Sequence, residues 1–183
     1  MKVNSLLASM FVLPISTAVY ASGAGEVISK VEVVSAQEDW CNAVVHISQT
    51  YEEKGHQAAE SLAREVIDSA YGYEMGSVLF KPTLTVSPQT FRLDSEGALS
   101  YFVGGNDSYP EDSGFALKNW TECRIDNAGI LVAGNSVNTM GKVHFTNAAG
   151  EVTSVDKTWT FVKDDKGQLR ITLHHSSLEH VAN

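Results

Sequence analysis

The chain has 183 residues, 43% of them hydrophobic, and a formal net charge of −9. That length holds one domain or slightly more, with enough apolar material for a core. The acidic balance and the lack of a glycine-rich phosphate loop argue against nucleic-acid and nucleotide binding, which call for clustered Lys and Arg or a backbone N–H cradle.

The first segment, MKVNSLLASMFVLPISTAVYASG, carries Lys2, a mostly apolar stretch from Leu6 to Leu13, and a run of small residues. Val19-Tyr20-Ala21 fits a small-x-small cleavage site, so residues 1–21 read as a secretory signal peptide cut after Ala21. A membrane anchor fits less well, because Pro14, Ser16 and Thr17 interrupt an apolar run too short to span a bilayer. Loss of Lys2 changes the net charge from −9 to −10. The expected product is soluble, free of the membrane, and periplasmic or secreted.

Residues 22–36 read as a short, mixed lead-in. A helix is predicted to start near Ser35, with Trp40, Val44, Ile47 and Tyr51 on one face. Gly55 interrupts, and a second helix follows with Ala58, Leu62, Val66 and Ala70 in register. After Gly76, VLFKPTLTV is a short strand in which Pro82 argues against a central position. TFRLDSEGALSYFVGG reads either as a helix near Ser95 leading into a strand, or as strand, turn and strand. Beyond Gly114 the chain alternates like antiparallel strands: FALKNWTECRID, ILVAGNSVNTMGKVHFTN, VTSVDKTWTFVKD and LRITLHHSS. DNAG, NAAG and DDKG serve as turns. Helices first and a meander afterwards define an α+β class. A bent sheet over a long helix makes a cone with a pocket at its open end.

Cys41 and Cys123 are the two cysteines. In an oxidising compartment they can pair, closing a loop worth about 4 kcal/mol in the chain-entropy model. Two buried thiols fit the sequence equally well. The six histidines show neither HExxH nor HxH spacing, so no three-ligand zinc site is announced. In the terminal LHHSS, alternation puts His174 and Ser176 on one face of a strand. His175 and Ser177 fall on the other, with Ile171 and Leu173. Alternation does not say which face lines a pocket, and a strand end bonded to its neighbours is the plainer reading.

VLFKPT, YFVGG, DSGFALKNW and KDDKGQLRITLHHSS occur in that order. Together they resemble the iota-class carbonic anhydrases, whose domain is similar to the association domain of calmodulin-dependent kinase II and has the nuclear-transport-factor-2-like fold. The resemblance covers residues 37–183 as a single domain. It implies reversible hydration of carbon dioxide to bicarbonate, in a pocket lined by Thr83, Tyr101, His174 and Ser176. It also implies a homodimer or larger homo-oligomer. Some members are described as zinc- or manganese-dependent and others as metal-free; without a histidine cluster, the metal-free form with no cofactor is expected here. His174, with an ordinary pKa near ~6.5, would pass the proton. Asn119 stands where relatives often have proline. The rival expectation is a non-catalytic module of the same fold that binds a small ligand or assembles subunits.

Overall fold

The structure, a computed structural model, describes residues 27–181; the predicted leader lies outside them. Helices α1 (Lys30–Lys54) and α2 (His56–Ala70) come first, then strand β1 (Leu79–Lys81) and helix α3 (Ser95–Val103). Four long strands follow: β2 (Trp120–Ala133), β3 (Ser136–Asn147), β4 (Val152–Lys163) and β5 (Leu169–Leu178). They form an antiparallel meander, and β1 adds to β5 in parallel, giving the order β1-β5-β4-β3-β2. The expected α+β class, helices packed on a bent, mostly antiparallel sheet, is what the chain forms.

α1 starts earlier than Ser35, so residues 30–36 of the expected lead-in are helical. The cause is a capping box: Glu32 N donates to Ser29 Oγ at 3.2 Å, and Ser29 N donates to Glu32 Oε2 at 2.7 Å. Both otherwise unpaired N–H groups are thereby satisfied. The helix ends at Gly55, whose φ of +81° turns the chain into α2. The ambiguous stretch before Gly104 resolves into α3, capped by Asp94, which accepts from Gly97 N at 2.7 Å.

α1 lies across the sheet and is fixed to it at three points. Trp40 meets Phe145 and Trp159 edge-on, with ring centroids 6.2 and 5.5 Å apart. Gln37, fully buried, donates to both Asn127 and Thr139 at 3.1 Å. Cys41 and Cys123 form a disulfide, with Cα atoms 5.3 Å apart, joining α1 to β2. This settles the pairing that the sequence left open.

Two local expectations are corrected. DNAG is not a turn: β2 runs straight through it, and the register shift between Asn127 and Gly129 marks a bulge. Opposite lies Gly141, where a Cβ would collide with the Asp126 carbonyl. That close approach sharpens the bend of the sheet. The hairpin instead turns at Gly134-Asn135, with Gly134 at φ +63°, inside what reads as one strand. At the start of FALKNWTECRID, Phe115–Leu117 form a turn of 3₁₀ helix instead of strand, and β2 begins only at Trp120. Asn119, just before it, takes φ +54°, a conformation closed to proline.

Candidate functional site

β5 carries half of the expected site, and its register decides where those side chains go. A register shift between Thr160 and Phe161 of β4 leaves Thr172 unpaired. The pleat therefore changes phase there. Ile171 turns into the core together with His174 and Ser176, rather than sharing the face of His175 as alternation predicts. His175 remains exposed. The face that alternation could not choose is thus the inner one.

β1 pairs with β5 at Phe80↔His174 and Lys81↔His175, then stops at Pro82. Lys81 Nζ donates to the Ser176 carbonyl at 3.0 Å. These contacts bring Thr83 over the end of β5, where its Oγ1 lies 2.6 Å from Ser176 Oγ. α3 presents Tyr101 from the opposite side. A buried ion pair steadies that side: Arg92 donates to Asp112 at 2.8 Å, and Asp112 accepts from Ser100 of α3 at 2.7 Å.

Thr83, Tyr101, His174 and Ser176 therefore line one narrow, tightly packed pocket, walled by Trp40, Phe80, Phe102 and Phe115. Larger hollows lie on the surface, one of them beside the disulfide, but they gather none of these side chains. The pocket is small and largely apolar, with hydroxyls at one end. The Tyr101 hydroxyl is buried near Thr83 and the Leu84 backbone, yet makes no hydrogen bond of good geometry. Burial pushes its pKa up to about 12, so it remains a phenol and a donor. A buried polar hydrogen without a partner inside a pocket is a group held ready for a ligand.

His174 is held differently from a surface histidine. Its ring stacks on Phe80 with centroids 4.4 Å apart and lies edge-on to Trp40. Nδ1 is 2.8 Å from the Tyr71 hydroxyl, which also accepts from Trp40 Nε1 at 3.0 Å. Nε2 is 2.9 Å from Lys157 Nζ. Burial, with the neighbouring Lys157 and His175, drives its pKa well below the ordinary 6.5, so the ring is neutral at physiological pH. The pKa near 6.5 expected from residue type does not survive that environment.

Lys157, Tyr71 and Trp40 complete the site and were not singled out in the sequence. A signal for Lys157 existed. In VTSVDKTWTFVKD it falls on the same alternation as Val155, Trp159 and Phe161, a charge on the apolar face of a strand. Trp40 carried no signal beyond its place on a helical stripe, and Tyr71, the extended residue just past α2, carried none. Among the described residues, no three His, Cys, Asp or Glu side chains converge as a metal-binding group.

A bent α+β cone with hydroxyls, a neutral histidine and a lysine around one buried pocket defines a small-molecule site. Residues 31–178 match the sequence profile of the family described as metal-independent carbonic anhydrase. A relative of that name from Nostoc sp. (strain PCC 7120 / SAG 25.82 / UTEX 2576) is 55% identical over 151 residues, which is 82% of this chain and 74% of the relative. A cyanobacterial iota-carbonic anhydrase, solved in complex with bicarbonate, superposes with a TM-score of 0.84 at 53% identity, covering 85% of this chain and 95% of that one. This chain belongs to the metal-independent carbonic anhydrase family. A structure from Xanthomonas campestris described as a calcium/calmodulin-dependent protein kinase II association domain shares the fold alone, at 18% identity and a TM-score of 0.57 over 87% of this chain and 98% of its own.

Proposed function

We infer that this protein hydrates carbon dioxide reversibly to bicarbonate, without a metal, in the pocket between β1, α3 and β5. The observation that carries the reading is the meeting of Thr83, Ser176 and the unpartnered Tyr101 hydroxyl at the polar end of an apolar pocket. Hydroxyls both donate and accept, so the Thr83–Ser176 pair can hold a water while directing its lone pair at carbon. The Tyr101 hydroxyl donates to an oxygen of carbon dioxide as negative charge develops there. The aromatic walls suit the apolar substrate. The new bond joins the water oxygen to carbon, and the proton leaves toward the His174–Lys157 pair. With no metal to acidify the water, orientation and these hydrogen bonds supply the acceleration. Stopped-flow hydration by wild type and by Ser176→Ala tests the reading; an inactive wild type would overturn it.

Two further properties are proposed with it. The protein is exported, cut after Ala21; N-terminal sequencing of the exported form should begin at Ser22. It is a homodimer or larger assembly through the outer face of the sheet, where Leu131, Met140 and Val152 are exposed. Light scattering on the purified protein should give at least twice the monomer mass.

A further inference from the structure

Lys157 is an ionisable amine in an improbable place. It is 4% exposed, its Nζ lies over the rings of Trp40 and Trp159 at 4.7 and 5.4 Å from their centroids, and it lines the pocket. Among the described residues no carboxylate pairs with it. A buried lysine without a counter-ion is expensive to keep charged, and such a residue in the lining of a pocket points to chemistry rather than stability.

Its position is set by strand pairing. Lys157 on β4 is the direct register partner of Ser176 on β5, so both side chains rise from the sheet side by side. The titratable groups facing it are His174 from β5, Tyr101 from α3 and, through His174, Tyr71 at the end of α2. α1 presents Trp40. β3 offers Gly141, its register partner on the other side.

Both ring nitrogens of His174 are engaged, one by Tyr71 and one by Lys157. His174 therefore has no free nitrogen for a substrate, whereas Lys157, which lines the same pocket, uses only one of its valences on His174. We propose that Lys157 is the catalytic base: its neutral amine takes the proton released by the attacking water, and the resulting ammonium pairs with bicarbonate. The proposal rests on the hydratase reading above. In the step, the water oxygen–carbon bond forms as a water O–H bond breaks, and that proton bonds to the Nζ lone pair. Bicarbonate departs, and the ammonium returns its proton to solvent buffer.

The proposal fixes the tautomer of His174. With the proton on Nδ1, that N–H donates to Tyr71, and Nε2 accepts from Lys157. The lysine lone pair then stays free in the neutral state, and the charged state has two N–H groups not used by His174. The opposite tautomer satisfies the Tyr71 hydroxyl hydrogen but ties up the lysine lone pair. His174 is thus a positioning residue. Burial brings Lys157 down to about 7, which lets the amine exchange protons at physiological pH.

The test is the pH profile of kcat for carbon dioxide hydration by wild type, Lys157→Met and Lys157→Arg, with bicarbonate binding followed by carbon-13 NMR. Wild type should rise with pH through an inflection near that lysine value. Lys157→Met should lose that inflection and about 10²-fold or more in kcat. Lys157→Arg should lose as much while still binding bicarbonate, because a guanidinium keeps its charge and cannot accept the proton. Retention of kcat within a few-fold by either variant would overturn the role. If the variants fail to fold, titration of the lysine ¹³Cε resonances in wild type decides: a Lys157 signal that stays ammonium-like up to pH 9 overturns the proposal. An inactive wild type would instead overturn the hydratase reading, which the titration does not touch.

Discussion

Thr83 and Ser176 hold their hydroxyl oxygens 2.6 Å apart across 93 residues of chain. Neither hydroxyl has a reason to be there unless the loop after β1 is pinned to the end of β5. The pairing of Phe80 with His174 and the stop at Pro82 do the pinning. The pair is a two-oxygen cradle, and each member depends on the other for orientation.

The cradle should therefore fail as a unit. Ser176→Ala and Thr83→Ala should each lower kcat by roughly 10²-fold, the scale of losing one aligned transition-state hydrogen bond. The double variant should lose little more than either single one. Steady-state hydration kinetics on the four proteins measures the coupling. Additive losses would mean that the two hydroxyls act independently.

A change at Tyr101 should separate catalysis from stability. Its hydroxyl is buried without a hydrogen-bond partner, so Tyr101→Phe removes a desolvated polar group and leaves the ring contacts with Phe80 and Phe115 in place. The variant should be as stable as wild type or up to about 1 kcal/mol more so, yet hydrate carbon dioxide at least about 10-fold more slowly. Urea unfolding and stopped-flow kinetics on the same preparation give both numbers.

Much of this was legible in the sequence, but unevenly. Helical stripes at Trp40–Tyr51 and Ala58–Ala70 and the order of helices and strands led to the α+β class. The motif resemblance led to four pocket residues that meet in one place. What failed was local geometry set by a partner strand. DNAG has good turn chemistry, yet Gly141 across the ladder lets it be a bulge. Alternation in LRITLHHSS breaks at Thr172 because β4 offers one residue fewer. The ordinary pKa expected for His174 was lost to complete burial, which no residue type announces.

The acid limb of stability should carry the mark of His174. Its folded pKa lies well below 6.5, so between those values the unfolded chain binds a proton that the folded chain does not. Stability should fall as pH drops below about 6.5 and continue to fall down to the depressed folded pKa. For Lys157 the window is alkaline. Its folded pKa is about 7 against 10.5 for the free side chain, so stability should rise from pH 7 toward pH 10. Glu32, lowered to about 2, acts only below its ordinary 4.5. Urea midpoints at pH 5, 7 and 9 should increase in that order, and Lys157→Met should flatten the step from 7 to 9.

The Cys41–Cys123 bridge closes a segment of 82 residues and ties α1 to the bulged strand β2. By chain entropy it stabilises the fold by about 4–5 kcal/mol. Reduction, or a Cys41→Ser/Cys123→Ser pair, should lower the urea midpoint substantially. The bridge lies outside the pocket lining, so kcat at low temperature should change by less than about 3-fold.

The central claim is catalysis by hydroxyls and a lysine without a metal. Its most direct test is stopped-flow carbon dioxide hydration by protein treated with chelator, with metal content measured on the same sample. The account predicts acceleration that is unchanged by chelation at negligible metal content and lost in Ser176→Ala. Activity that disappears with the chelator and returns on adding zinc or manganese would contradict it.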